Sequence, residues 1–350
     1  MSPMPDPTCT DPIFILGIWG RTGTNFLSDL LRLHPDCGGA APIWEDYLLN
    51  HADLLVGYIQ STCGPWHRHA KAIGADERFE DMLSQHLGNG LISFLGSRIH
   101  KKRLVTKTPR VHNLEHFFQL FPNANLLILV RDGRALVESL VKTRGPTRSL
   151  INYEEAMRQW ASGAETILQF DRPNEKSSSK YLIVTYEDLC GDIQGELLKI
   201  FSFLNLDSTV YDFQAAMNAP VRGSSVFRGD EAKKVHWKPV EKTAEFNPLS
   251  RSAHWSRMLH ERFNWIAGSY QQQFRYEIKT YETNRFIWTI WNLLLDIRWQ
   301  IRLLSKSTTH SMKRGLKWCF GEERITKAHR NLSIYLPWAR KPSKAIGSGS

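Results

Sequence analysis

A short loop rich in glycine and hydroxyl groups follows the first apolar stretch of the chain. The run Ile13–Gly17 is typical of a buried strand, and a helical pattern begins a few residues later. Glycines let a backbone approach a phosphate, and the amides at a helix N-terminus attract negative charge. The loop is therefore predicted to bind a phosphate-bearing ligand through Gly20, Arg21, Thr22, Gly23, Thr24 and Asn25.

The loop differs from the one that binds nucleoside triphosphates. That motif requires Lys directly before Ser or Thr, whereas no Lys lies between Asp11 and Arg32. Arg21 is the only cation of the loop, which suggests a phosphosulfate or a similar group. A P-loop kinase or nucleotide hydrolase is the alternative, supported by the sheet pattern and by Asp132 after an apolar strand.

A second block of polar residues follows two later apolar strands. Lys107 ends one strand, Arg131 follows the run Leu126–Val130, and Ser139 lies on the next helix. In parallel sheets the carboxyl ends of the strands form the ligand site. Arg131 could instead pair with Asp132 or Glu138, and Ser139 could simply face solvent.

The two blocks together resemble sulfotransferases that use 3′-phosphoadenosine 5′-phosphosulfate (PAPS), most closely the tyrosylprotein and glycan O-sulfotransferases. Residues 181–189 and 222–239 add further matches, so the similarity spans about residues 13–275. It implies the sulfotransferase fold and PAPS as donor, with 3′-phosphoadenosine 5′-phosphate (PAP) as product and no required metal. It also implies that the first loop holds the 5′-phosphosulfate and that Arg131 and Ser139 hold the 3′-phosphate.

The resemblance also suggests roles in catalysis. Arg21 and Lys107 are the expected cations beside the leaving phosphate. Glu45 is the candidate base, although extra residues after Asp36 shift its position relative to the family, and its alternative role is an acidic helix N-terminus. Ser224 or Ser225 precedes a Lys-Pro pair, as a catalytic Ser does in the tyrosylprotein enzymes.

Other residues compete for some of these roles. Tyr186 either contacts the adenine side of the donor or packs against the sheet. The competing bases are His112, His67 and His69. Sulfuryl transfer to a glycan, lipid or small-molecule hydroxyl is the predicted activity, and a non-catalytic nucleotide-binding scaffold is the alternative from another class of protein.

Composition is consistent with one α/β enzyme. The chain has 350 residues with 42% hydrophobic residues, and its five cysteines include no C-x-x-C pair. The first residues, Met1–Pro7, contain prolines and an acid where a secretory signal has basic and apolar regions. We expect a cytoplasmic protein with reduced cysteines and no nucleic-acid partner.

The positive charge is concentrated in the tail. From Asn284 onward there are 13 Lys and Arg against three acids, which equals the whole net charge of +10. Within residues 285–304 the polar positions 285, 289, 292, 296 and 300 recur at helical spacing, and most of the rest are apolar. The pattern predicts an amphipathic helix that packs on its own protein, forms a homodimer, contacts an acidic ligand such as a glycan, or binds a membrane surface.

The predicted architecture is α/β, a P-loop-like parallel sheet flanked by helices, with a basic helical C-terminal extension. Strands are expected at 13–17, 103–106, 126–130 and 181–185, and helices near 46–60, 78–100, 153–170 and 192–204. Residues 64–69 and 218–250 are expected to be irregular. The predicted division is a catalytic domain 1–283, a helical tail 284–346 and an expression remnant 347–350.

Overall fold

A parallel β-sheet carries the strand ends at which the predicted site residues lie. The computed structural model describes residues 11–75, 78–143, 149–171, 180–222, 239–240, 250–281 and 284–305. The strands are β1 Ile13–Gly17, β2 Cys37–Gly38, β3 Arg103–Thr108, β4 Asn125–Val130, β5 Tyr181–Thr185, β6 Val221–Arg222 and β7 Pro239–Val240. The α-helices are α1 Thr24–Arg32, α2 Ala52–Ala72, α3 Phe79–Gly96, α4 Phe117–Leu120, α5 Gly133–Thr143, α6 Leu150–Phe170, α7 Tyr186–Gly191, α8 Ile193–Leu204, α9 Phe213–Asn218 and α10 Arg257–Gln273, and residues 285–305 are also helical.

The strand order brings three strand ends of functional interest together. Across the described chain the main sheet has the order β2-β3-β1-β4-β5, and each neighbouring pair is parallel. In this register Ile15 of β1 is aligned with Lys107 of β3 and with Leu127 of β4. The α/β class with a parallel sheet is therefore confirmed, and the ends of β1, β3 and β4 form the edge where ligands bind in such sheets.

Both faces of the sheet are covered, which explains why its strands read as continuous apolar runs. Successive side chains of a strand point to opposite faces. Phe14 belongs to a buried cluster that includes Trp160, whereas Ile15 belongs to a second cluster that includes Leu27 of α1. Packing on both sides fixes the strand ends that carry the site.

Helix α2 corrects two expectations. Residues 64–69, expected to be irregular, lie inside α2, which contains Pro65. Ile59 and Cys63 are buried on the inner face of this helix, so its packing against the core outweighs the unfavourable proline. The helix predicted near 46–60 begins only at Ala52.

Two shorter segments also differ from expectation. Strand β2 was not predicted, since two residues are too few to show a periodic pattern. In the stretch 218–250, expected to be irregular, β6 and β7 form an antiparallel pair, and residues 223–238 and 241–249 lie outside the described residues.

The chain divides into two compact units, Met1–Tyr281 and Glu282–Ser350. Their boundary lies close to the predicted one, but the assignment of the units as catalytic domain and basic tail remains a prediction. Among the described residues, no helix is long and apolar enough to cross a bilayer.

Candidate active site

The loop between β1 and α1 has the backbone geometry of an anion cradle. Gly23 and Arg21 adopt left-handed conformations, with φ of 112° and 76°. A side chain at Gly23 is excluded, because a Cβ there would lie 2.4 Å from the Tyr186 ring. No side chain caps the start of α1, and its first turn carries no acidic residue. Its amides are therefore suited to bind an anion.

The other loop residues either shape the loop or leave space beside it for a ligand. The Thr22 hydroxyl donates to the Trp19 carbonyl oxygen and accepts from the Trp19 amide, so this side chain folds back onto the loop. Thr24 is buried and Asn25 is half-buried. A Cβ on Gly20 would meet no atom of the described chain within 4 Å, which leaves space for a ligand.

Arg131 lies beside this loop with unused hydrogen-bonding groups. Its Nη1 donates to the Arg21 carbonyl oxygen at 3.0 Å, and its guanidinium carbon is 4.4 Å from the centre of the Tyr186 ring. Arg131 is 3% exposed, and its Nε and Nη2 have no hydrogen-bond partner among the described residues. Asp132 pairs instead with Arg134 Nη2 at 2.7 Å. Because buried N–H groups normally have partners, the place fits a bound anion.

Ser139 accepts hydrogen bonds from two arginines. Arg21 Nε lies 3.2 Å from its Oγ and Arg251 Nη1 lies 3.4 Å away. Burial, followed by repulsion from Arg251 and Arg131, lowers the pKa of Arg21 to about 10. Burial and then Arg131 also lower the pKa of Arg251. These shifts indicate a concentration of positive charge around one hydroxyl.

Side chains behind Arg131 hold its turn in place. Trp160 Nε1 donates to the Arg131 carbonyl oxygen at 3.0 Å. Gln271 Nε2 donates to Asp132 Oδ2 at 2.9 Å, and Gln271 Oε1 accepts from the Gly133 amide at 3.0 Å. Sequence reasoning missed these contacts because Trp160 and Gln271 lie on helices far from Arg131 in the chain.

Glu45 and Lys107 form a largely buried ion pair. Lys107 Nζ donates to Glu45 Oε1 at 3.1 Å, with the two side chains 3% and 16% exposed. The Tyr47 hydroxyl donates to the other carboxylate oxygen, Oε2. Burial lowers the pKa of Lys107, while attraction to Glu45 opposes that shift. Burial and the bond to Glu45 raise the pKa of Tyr47 to about 12, so its phenol stays a donor at neutral pH.

Asp46 ties the Glu45 segment to the end of β3. Its Oδ2 accepts from Thr106 Oγ1 at 2.6 Å and its Oδ1 accepts from Thr108 Oγ1 at 2.9 Å. The Asp46 amide donates to the Lys107 carbonyl oxygen at 3.1 Å, and the Tyr47 amide donates to Thr108 Oγ1, also at 3.1 Å. Glu45 is thereby fixed against the strand that carries Lys107. Sequence reasoning missed these contacts, because Thr106 and Thr108 lie 60 and 62 residues from Asp46 in the chain.

The histidines considered as alternative bases occupy other environments. His67 Nε2 lies 3.9 Å from Glu80 Oε1, and its ring packs against Phe79, so it joins α2 to α3. His69 is exposed on α2, and His112 is exposed after β3.

Ser224 and Ser225 lie outside the described residues, so their roles stay predictions.

Tyr186 begins α7, is buried, and lies against both Gly23 and Arg131. The described residues contain no group of three or more His, Cys, Asp or Glu that could hold a metal ion.

The chain was compared with known proteins. A model described as "Sulfotransferase family" matches residues 12–210. Protein-tyrosine sulfotransferase A of Caenorhabditis elegans is 24% identical over 230 residues, covering 63% of this chain and 58% of that protein. Human protein-tyrosine sulfotransferase 1 is 28% identical over 167 residues, covering 45% and 41%. The chain thus spans about half the length of the curated relatives it matches.

Solved structures give distant matches. The sulfotransferase domain of a Synechococcus olefin synthase has 21% identity and a TM-score of 0.42, covering 79% of this chain and 98% of that one. A sulfotransferase of Mycobacterium avium has 15% identity and a TM-score of 0.44, covering 78% and 79%. The family model, in contrast, matches more than half of this chain and includes the first loop, Lys107, Arg131 and Ser139, so the chain belongs to the sulfotransferase family.

Proposed function

We propose that this protein transfers a sulfuryl group from PAPS to an acceptor hydroxyl. The observation that carries the proposal is Arg131, which contacts the first loop and whose buried Nε and Nη2 lack partners among the described residues. A nucleotide with two separate anionic ends suits this arrangement. One end would lie at the amides of α1 and the other at Arg131 and Ser139. PAPS supplies the activated sulfuryl group.

Different residues of the chain are assigned to donor binding, to charge stabilisation and to proton transfer. Gly20–Asn25 would hold the 5′ end of the donor, and Tyr186 would support Arg131 and the adenosine. Arg21 and Lys107 would supply positive charge where the leaving phosphate becomes more negative. Ser224 or Ser225 is a further candidate for contact with the leaving phosphate, and only the resemblance supports this role.

Glu45 is the proposed base for the acceptor hydroxyl. A base must lie within hydrogen-bond reach of the proton that it removes. The ion pair with Lys107 and the hydrogen bond from Tyr47 fix the direction of the carboxylate. A donor phosphate that attracts Lys107 would weaken its contact with Glu45 Oε1 and leave that oxygen available to the acceptor hydroxyl.

The acceptor class is open to experiment. A glycan, lipid or small-molecule hydroxyl fits the proposed chemistry, and the names of the curated relatives add the tyrosine hydroxyl of a protein. Radiolabelled PAPS offered with each class in parallel would identify it.

Calorimetry of the full chain tests the donor assignment. PAP should bind without added metal and more tightly than ATP. Equal binding of ATP, or a requirement for magnesium, would support the kinase alternative. Tight PAP binding without turnover on any acceptor class would support the scaffold.

We also propose that the helix at residues 285–305 binds the surface of an anionic bilayer. Exposed apolar side chains share one side of this helix at helical spacing: Phe286, Ile290, Leu293, Leu294, Ile297, Ile301 and Leu304. Arg298 is exposed beside them, and Arg302 lies over the Trp299 ring with a 5.9 Å separation. Apolar residues flanked by arginines are typical of helices that lie in a membrane interface.

A further inference from the structure

The segment before α10 brings an additional arginine to the proposed donor site. Residues Ser250–Ser252 form a short 3₁₀ turn, and Arg251 within it donates from Nη1 to Ser139 Oγ at 3.4 Å. Arg21 Nε donates to the same oxygen at 3.2 Å. Arg131 is close enough to both arginines to lower their pKa values. Two guanidinium groups therefore meet at one serine hydroxyl, and the charge of Arg131 lies close to both.

This concentration of charge is unfavourable without an anion. Glu138 is a carboxylate close enough to favour the charge of Arg251, but its Oε2 already accepts from Trp255 Nε1 at 2.9 Å and from the Tyr153 hydroxyl at 2.8 Å. A phosphate monoester offers several acceptor oxygens and almost two negative charges, which match a group of arginines well. An anionic phosphate would also satisfy the unused N–H groups of Arg131.

We propose that Arg251 binds the 3′-phosphate of the donor and sets the preference for 3′-phosphorylated adenosine nucleotides. The inference rests on the proposed function. Arg251 is assigned to the 3′-phosphate of the donor rather than to its 5′ end, because its partner is Ser139 on α5. The 5′ end is assigned to the amides of α1.

Buried contacts with Glu138 hold the segment that carries Arg251 in place. Glu138 has no exposed surface and directly precedes Ser139 on α5. It accepts from Trp255, and His254 Nε2 lies 3.3 Å from its Oε2. The Trp255 ring packs edge-on against Tyr153 with 5.7 Å between ring centres. The same turn of α5 thus carries Ser139 and holds the segment that contains Arg251. Because Trp255 makes the hydrogen bond to Glu138, it acts on Arg251 as a positioning residue.

Calorimetry with PAP and with adenosine 5′-monophosphate, which lacks the 3′-phosphate, tests the proposal on the full chain. Removing a charged hydrogen-bonding group should weaken PAP binding by about 10- to 100-fold in Arg251→Ala and by less in Arg251→Lys. Binding of adenosine 5′-monophosphate should change by less than about threefold, since no 3′-phosphate contact is lost. Arg257→Ala, an exposed arginine over the Tyr281 ring, is the matched control and should leave both affinities unchanged.

Each result separates this inference from the proposed function. Equal weakening of both nucleotides, or unchanged PAP binding, in a folded Arg251→Ala protein would overturn the role of Arg251 alone. A wild-type chain that does not prefer PAP over adenosine 5′-monophosphate would overturn the PAPS assignment as well.

Trp255→Phe tests the contact between Trp255 and Glu138 separately. It keeps the ring but removes the donor to Glu138, so the preference for PAP should fall in the wild-type background. In the Arg251→Ala background it should have no further effect on that preference, because the two residues act through one contact. Additive losses in the double variant would contradict the positioning role.

Discussion

Lys107 Nζ lies 3.1 Å from Glu45 Oε1, so the proposed cation and the proposed base are partners in one ion pair. Both side chains are largely buried, and Asp46 fixes the backbone between Glu45 and the strand. Each group therefore depends on the other for its position. The proposed reaction needs Lys107 to contact the donor and Glu45 to contact the acceptor hydroxyl.

Replacement of Glu45 tests the base. Glu45→Gln keeps the size of the side chain but removes its basicity, so turnover should fall by about 100-fold or more while PAP affinity stays close to wild type. Steady-state kinetics at saturating acceptor and calorimetry with PAP would measure the two effects. Glu115→Gln, an exposed glutamate near His116, is the control. Full turnover in Glu45→Gln would move the base to a histidine, with His112 first.

Replacement of Lys107 tests the cation. Lys107→Ala should leave the fold and PAP binding largely intact and reduce kcat more than it changes KM, because the charge is needed where the leaving phosphate develops charge. Lys102→Ala, a surface lysine paired with Asp36, is the matched control. A larger effect on PAP affinity than on kcat would show that Lys107 is a binding group only.

Arg131→Ala should mainly weaken donor binding. The unused N–H groups of this buried arginine are the proposed contacts with the 3′-phosphate, so the affinity for PAP should drop by about 10-fold or more. Calorimetry would measure the loss, with Arg98→Ala, an exposed arginine over Phe94, as control. An unchanged PAP affinity would contradict the assignment of this subsite.

His260 should make stability depend on pH. Burial lowers its pKa from 6.5 to about 4, and its ring lies near Trp255 and Tyr281. The unfolded chain therefore binds a proton between these values and the folded one does not, so stability is complete above pH 6.5 and falls as the pH drops towards 4. Urea unfolding should show a loss of about 1–3 kcal/mol over this window. His260→Gln should reduce that slope, and an equal slope in both proteins would contradict the prediction.

The helix at 285–305 gives a test of membrane binding. Ile290→Ser, Leu294→Ser and Ile297→Ser together should reduce cosedimentation with anionic vesicles, since they remove exposed apolar contacts. Rising salt should weaken binding of the wild type, because the electrostatic part is screened. The triple substitution Leu54→Ser, Tyr58→Ser and Ile73→Ser, at exposed positions elsewhere, is the control. Unaltered cosedimentation of the tail variant would contradict the bilayer proposal.

The strand ends and the first loop could be predicted because they are local in sequence. A glycine-rich turn between an apolar strand and a helix has few alternative structures, and a cation directly after a buried strand must lie at the end of the sheet. The parallel sheet and its edge followed from the same pattern.

The contacts that complete the site could not be predicted because they join distant parts of the chain. Arg251 and Ser139 are separated by 112 residues, and Thr106 and Asp46 by 60. No periodic pattern marks such pairs. The helix through Pro65 was missed for a related reason, since packing of its inner face decides its structure rather than the local residue types.

The most direct test of the account is transfer of radiolabelled sulfate from PAPS. The full chain is incubated with labelled PAPS and glycan, lipid, small-molecule and tyrosine acceptors, with Glu45→Gln as the matched inactive control. A PAPS-dependent sulfotransferase should place label in one acceptor class, release an equal amount of PAP, and show a rate lower by about 100-fold in the variant. Phosphate transfer from labelled ATP without sulfate transfer from PAPS would contradict it.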